Sequence, residues 1–157
     1  MKKIAIIGAG ISGLFFANLL EKDKSYSYKI FEKKSSLNLS DGYGIQLSAN
    51  SINLLNKIGF QKMNVSDVCF PKKVNFFDAK KSKKICDIDL SQFNDHNNRY
   101  TTLKRSKLIE FLLEKIPSGL PIKRTLASYL FKISFATEEY VSIQLVSFVA
   151  LEEKPTR

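Results

Sequence analysis

Cysteine and histidine are scarce in this chain: it holds two of the former, Cys69 and Cys86, and one of the latter, His96. Two thiols are too few for a disulfide scaffold or a four-cysteine zinc site. One imidazole excludes a site built from several, so no metal site is expected. Acidic side chains are also in short supply, with 15 Asp and Glu against 25 Lys and Arg, for a net charge of +10. Long apolar runs are missing. The nearest approach is the uncharged stretch of 17 residues from Ile4 to Leu20, behind Lys2 and Lys3. It is marginal in length for a bilayer span and is broken by Gly8, Gly10, Gly13 and Asn18. No small-residue cleavage site follows it before Glu21. Neither a membrane span nor a targeting segment is expected, and the chain reads as a soluble cytoplasmic protein. No internal repeat or low-complexity linker is present.

What is there is core material. At 44% hydrophobic over 157 residues the chain can fold as one domain or as part of a larger one, which excludes wholesale disorder. The lysines cluster at Lys72-Lys73 and around Ser82, at Lys80, Lys81, Lys83 and Lys84. Such a surface attracts anions, nucleic acid and phosphorylated cofactors among them. No nucleic-acid motif accompanies it, so a solvated lysine-rich face is the expectation and nucleic acid is not a partner.

The chain alternates between two periodicities. Ile4-Ala5-Ile6-Ile7 is a short apolar run that ends at a glycine, as a buried parallel strand does. From Ser12, Leu14, Ala17 and Leu20 recur at helical spacing, and the helix is expected to fray in the polar stretch from Glu21 to Ser27. Tyr28–Phe31 reads as a second strand ending at Glu32. Strand, helix, strand is a right-handed crossover unit. A polar loop follows, then a second helix capped by Ser48 or Asn50, with Ile52, Leu55 and Ile58 inward and Gly59 as its stop. Val74–Asp78 and Ile85–Leu90 read as strands flanking a lysine turn, with Cys86 on an inward face. A third helix spans Ser106–Ile116, with Leu108, Ile109, Leu112, Leu113 and Ile116 as its stripe and Pro117 at its end. Leu130–Ser134 and Tyr140–Leu145 are expected to pair with each other as strands. The fold class is α/β: a Rossmann-like dinucleotide-binding βαβ domain with a parallel sheet, incomplete, plus a β-hairpin region.

The chemistry is concentrated in Gly8-Ala9-Gly10-Ile11-Ser12-Gly13, a G-x-G-x-x-G run. A bare match is weak, but this one follows a strand, opens a helix and precedes an acid, Glu32, by 19 positions from Gly13. Gly8 permits the tight turn, Gly10 leaves room for a pyrophosphate, and Gly13 lets helix and strand pack closely. The helix N-terminus offers unpaired N–H groups and partial positive charge to phosphate. Glu32 accepts hydrogen bonds from ribose hydroxyls and disfavours a 2′-phosphate. These residues do not separate NAD from FAD. Lys33 stands next to Glu32, either at the adenosine end or simply as an exposed lysine. His96 reads as a loop residue, and no residue is assigned as catalytic.

Three segments in order resemble the N-terminal part of the class A flavoprotein monooxygenases, the group that includes the p-hydroxybenzoate hydroxylase-like enzymes. They are the GAGISG unit with Glu32, then Gly42-Tyr43-Gly44-Ile45-Gln46-Leu47-Ser48-Ala49-Asn50 running into a helix that ends Ile58-Gly59-Phe60, and then Arg105-Ser106-Lys107-Leu108 with Leu112. The resemblance covers residues 1–117 and implies FAD as cofactor, with Gly44 in the second segment and Arg105 lying near the pyrophosphate or ribityl chain. It implies NADH or NADPH as a transient reductant and oxygen-dependent hydroxylation of a small organic, aromatic-class substrate. Residues 118–157 are only weakly family-like, and nothing in them matches the family's later Gly-Asp motif. The reading is therefore an FAD-binding portion of a monooxygenase, from a truncated, frameshifted or split gene, that by itself binds FAD weakly and hydroxylates nothing. Two alternatives stay open: an NAD-binding or other flavin oxidoreductase, and a non-catalytic nucleotide-binding remnant or subunit that needs a partner chain.

Overall fold

The computed structural model describes residues 2–34, 43–117, 122–124 and 141–143. In chain order the elements are β1 (Lys2–Ile7), α1 (Ile11–Leu20), β2 (Tyr26–Glu32), β3 (Gly44–Leu47), α2 (Ala49–Asn56), β4 (Val68–Cys69), β5 (Lys73–Phe77), β6 (Lys84–Asp89), β7 (Thr101–Lys104), α3 (Arg105–Glu114), β8 (Ile122–Arg124) and β9 (Val141–Ile143). Short 3-10 turns lie at Phe60–Lys62, Val65–Asp67 and Leu90–Gln92. The chain divides into two compact units, Met1–Leu37 with Ile116–Arg157, and Asn38–Lys115.

The first unit is built on a parallel sheet of order β8-β2-β1-β9. Ile4, Ile6 and Ile30 are buried in it, and register pairs Ile6 with Ile30. Leu14, Ala17 and Leu20 of α1 bury the stripe that their spacing demands. Asn18 is buried beside them, its amide donating to the Leu14 carbonyl at 2.8 Å. At the far end of the helix the Tyr28 hydroxyl donates to Glu21 at 2.5 Å and ties the helix terminus to β2. The crossover expected from the sequence is therefore present, with two differences at its edges. The helix begins one residue early, at Ile11, and β2 begins at Tyr26, so the polar connection is a tight turn.

Two strands in this unit depart from expectation. β9 falls within the expected Tyr140–Leu145 strand, but its partner is β1, in parallel, with Ile4 beside Val141 and Ile6 beside Ile143. Periodicity specifies a strand and not its neighbour. A parallel neighbour is reached across a crossover and not through a hairpin, so β9, at the end of the strand order, pairs with the distant β1. Leu130–Ser134 lies outside the described residues. β8, which the sequence reading missed, pairs with β2 over only three residues, Ile122–Arg124, too few to show a period.

In the second unit β3, β7 and β4 form an antiparallel sheet, and β5 and β6 form a hairpin. β3 and β7 carry no strand signal in the sequence. Each has four residues, and Gly44 pairs with Lys104 across a long separation in sequence. α2 starts after Ser48, whose backbone serves as the cap without a side-chain bond to it. Gly59 ends the turn behind it at φ +89°, a left-handed position that suits glycine. α3 buries Leu108, Ile109, Phe111 and Leu112, and the Phe111 ring meets Phe60 edge-on at 5.5 Å between centroids.

The hairpin corrects one sequence expectation. Cys86 is exposed, as is every residue of β6. Among the described residues no sheet or helix layer covers β6, so alternation along it does not put a thiol inside. Its turn is held by Asp78, whose Oδ1 accepts from the Lys80 and Lys81 amides at 2.8 and 3.0 Å. Asp87 accepts from both Lys73 and Lys84.

Two substitutions test this packing. Leu108 is fully buried, so Leu108→Ala should lower stability by about 2–5 kcal/mol in denaturant melts. A loss under ~1 kcal/mol would mean that the second unit does not pack through this helix. A Cβ at Gly13 would lie 2.0 Å from the Gly8 carbonyl oxygen and 3.2 Å from the Ile6 side chain. Gly13→Ala should therefore cost at least as much as severe overpacking, about 3 kcal/mol or more, and an unchanged melting curve would refute the close strand–helix approach.

Candidate dinucleotide-binding site

The site is assembled where β1 ends and α1 begins. Gly8 turns the chain at φ +98°, a conformation that a Cβ would strain, and its amide donates to the Phe31 carbonyl at 2.7 Å. The loop then runs through Ala9 and Gly10 into the helix, where the Leu14 amide donates to the Gly10 carbonyl at 2.9 Å. A Cβ built on Gly10 meets no atom within 4 Å. Gly10 is thus free of the packing demand that fixes Gly13, and the space over its backbone is what a phosphate chain would need. Ile11 and Ser12 open the helix, Ser12 exposed and Ile11 half-buried. The first-turn N–H groups of a helix have no intrahelical acceptors, and the peptide dipoles add positive potential there.

Glu32 ends β2 alongside this loop. One register step beyond the Ile7–Phe31 pair sets it beside Gly8. Its Oε2 accepts from the Ala9 amide at 2.8 Å and its Oε1 from the Lys34 amide at 2.9 Å. Burial pushes the carboxyl up. That effect is outweighed by the backbone N–H groups of Lys34, Ala9 and Lys33 and by the charge of Lys34, so the group is held below the usual carboxylate range. Glu32 is therefore an anion near neutral pH, with lone pairs left over to accept from hydroxyls. Lys33 contributes a backbone N–H here while its side chain is exposed.

Gly44 and Arg105 belong to the second unit. Gly44 opens β3 opposite Lys104, and a Cβ there would come no closer than 4.0 Å to the Leu103 carbonyl oxygen. Arg105 is the first residue of α3. Its amide donates to the Tyr43 carbonyl at 3.1 Å and its guanidinium lies 5.8 Å from the centre of the Tyr43 ring. The antiparallel pairing of β3 with β7 is what brings the Gly44 and Arg105 segments together. Tyr43 as the ring under Arg105 was missed from sequence, as was the Ala9–Glu32 bond. The second follows from the constant 24-residue offset between β1 and β2 partners, a register that only the structure gives and that sets the ends of the two strands side by side. His96 is exposed on its loop and lines a cavity of about 190 Å³ with Asn56, Phe70 and Arg99. Among the described residues no group of His, Cys, Asp and Glu could hold a metal ion, and no helix is long and apolar enough to cross a membrane.

A loop of this geometry, with an acid at the end of the adjacent strand, defines a Rossmann-like unit, and residues 6–40 match the family described as "NAD(P)-binding Rossmann-like domain". The chain is also similar to FAD-dependent monooxygenases, over part of their length. It is 39% identical over 59 residues to 3-amino-4-hydroxybenzoate 2-monooxygenase of Streptomyces cremeus, covering 38% of this chain and 14% of that protein. Its fold matches 2-methyl-3-hydroxypyridine-5-carboxylic acid oxygenase at a TM-score of 0.63 and 18% identity, covering 80% of this chain and 31% of that one. It also matches Klebsiella pneumoniae HpxO, solved with FAD and uric acid, at a TM-score of 0.58 and 18% identity, covering 72% of this chain and 28% of that one. The chain spans less than a third of the length of each of these relatives.

The lowered Glu32 sets a pH dependence. A carboxyl depressed by folding contributes stability that is present above its unfolded value, about 4.5, and is lost as pH falls through its folded one. Asp23, Asp78, Asp87, Asp89 and Asp95 are lowered as well, so the contribution of Glu32 is read by difference. Thermal melts from about pH 6 to about pH 3 should show wild type losing stability more steeply than Glu32→Gln, the two curves converging at the acid end. Parallel curves would show that the carboxylate is not held by the loop and strand amides.

Proposed function

We propose that this chain supplies the dinucleotide-binding portion of an FAD-dependent monooxygenase. The observation that carries the reading is Glu32 seated against the glycine loop, with open space over Gly10 and the α1 N-terminus behind it. The loop backbone would hold the pyrophosphate and Glu32 the ribose hydroxyls of the adenosine half. Arg105, at the start of α3, would supply positive charge toward the pyrophosphate or ribityl chain, and Gly44 would let backbone approach the same cofactor. Lys33 would stand at the adenosine end. When bound, FAD supplies oxygen-activating chemistry, with NADH or NADPH as reductant and a small organic, aromatic-class compound as acceptor. The monooxygenase activity of the Streptomyces relative and the FAD bound to HpxO support this assignment, and a cytoplasmic setting suits the reductant. The description of the matched family as NAD(P)-binding favours a second reading, an NAD-binding oxidoreductase.

Titration of the full chain with FAD, NAD and ADP, followed by flavin absorbance and calorimetry, separates the two. FAD should bind more tightly than NAD, and binding of NAD alone would favour the second reading. ADP should bind more tightly than its 2′-phosphorylated analogue, and Glu32→Arg should reverse that order. Equal or tighter binding of the 2′-phosphorylated analogue by the wild type would sink the ribose assignment.

A Cβ at Gly10 meets no atom within 4 Å, so Gly10→Val should leave the circular dichroism spectrum unchanged while lowering nucleotide affinity at least about tenfold. Wild-type affinity in that folded variant would reduce the motif to a structural turn.

A further inference from the structure

Glu32 does something in this structure that ribose recognition does not require. Its two oxygens are divided between a local partner, the Lys34 amide at 2.9 Å, and a distant one, the Ala9 amide at 2.8 Å, 23 residues away. Ala9 is only 1% exposed, so its amide depends on the protein for an acceptor. Ala9 also sits between the two glycines least constrained by their surroundings. Gly8 and Gly10 both have open space where a Cβ would be. The loop is fixed at its entry by the Gly8 amide on the Phe31 carbonyl and at its exit by the packing of Gly13 on Gly8. Between these anchors, the Ala9–Glu32 bond is the long-range tie at the loop's middle.

We infer that Glu32 is a positioning residue for the glycine loop: its carboxylate holds Ala9 in place before any nucleotide arrives. The Ala9 amide uses one lone pair of Oε2 and the Lys34 amide one of Oε1, and a carboxylate has further acceptor capacity for hydroxyl donors. One side chain then serves both halves of an adenosine diphosphate, directly at the ribose and through the backbone at the pyrophosphate. Freezing a flexible loop in its binding conformation raises affinity by removing an ordering cost at the moment of binding. The ribose half of this statement rests on the function proposed above; the loop-holding half stands on the Ala9–Glu32 contact alone.

The test is amide hydrogen exchange by NMR on the full chain without nucleotide. The Ala9 amide should be protected in wild type and should exchange at least about tenfold faster in Glu32→Ala, with Glu32→Gln, whose carbonyl oxygen still accepts, restoring protection. A scalar coupling across the hydrogen bond, from the Ala9 nitrogen to the Glu32 carboxyl carbon, gives the same answer in wild type should Glu32→Ala fail to fold. The second measurement is inorganic pyrophosphate affinity, which no ribose contact can influence. Removing a negative charge should by itself tighten anion binding, so weaker binding in Glu32→Ala supports the positioning role against the electrostatic trend. Unchanged Ala9 exchange, no coupling in well-resolved wild-type spectra, or pyrophosphate binding that stays equal or tightens would overturn it. If Ala9 is protected by Glu32 and yet no nucleotide binds, the loop-holding role survives and the proposed function falls.

Discussion

Everything in the first unit depends on how closely one strand and one helix approach each other. Between the carbonyl of Gly8 and the backbone of Gly13 there is room for a hydrogen atom and not for a methyl group. That approach aims the start of α1 over the end of β1 and lifts the intervening loop onto the rim of the sheet. Because β2 runs parallel to β1, its own end arrives at the same rim and delivers Glu32. The three glycines of the motif are therefore unlike in cause. One is set by backbone torsion, one by contact with its own fold, and one by nothing among the described residues. The last is the informative one, since a residue with open space around it has no structural reason to lack a side chain.

How much could be read in advance followed from how local each feature is. The βαβ unit was legible because Ile4, Ile6, Leu14, Ala17 and Ile30 carry its periods within one short stretch, and all five are buried. The hairpin was legible from two apolar runs around a lysine turn. β3, β7 and β8 were not, since three or four residues display no period and their pairing is decided by distant partners. Cys86 was misplaced for a related reason. Alternation along a strand tells which residues share a side, and only tertiary structure tells whether that side is covered.

The candidate site divides in the same way. Residue types and spacing pointed to the loop and to Glu32, and the structure brings these together. The contact between them came from strand register, which no motif spells out. Arg105 was singled out through likeness to a family, and its structural setting, a guanidinium against Tyr43 at the mouth of β3, rests on strand pairing between segments far apart in sequence. The strongly basic composition bears on the site only through long-range attraction of anions. Beside the loop itself the structure sets the negative charge of Glu32, whose Oε2 accepts from the Ala9 amide.

The position of β1 inside its sheet bears on how the protein is made. One side of β1 meets β2 soon after both are synthesised, but the other waits for β9, because Ile4 takes Val141 as its neighbour. At ordinary translation speeds that wait lasts roughly ten seconds. Throughout it, β1 presents on that side a row of unpaired amides and carbonyls, flanked by apolar isoleucines, to whatever strand comes near. Nascent chains on one polysome are the nearest such strands. Soluble yield should therefore be governed by synthesis rate and chaperone supply as much as by the stability of the finished fold.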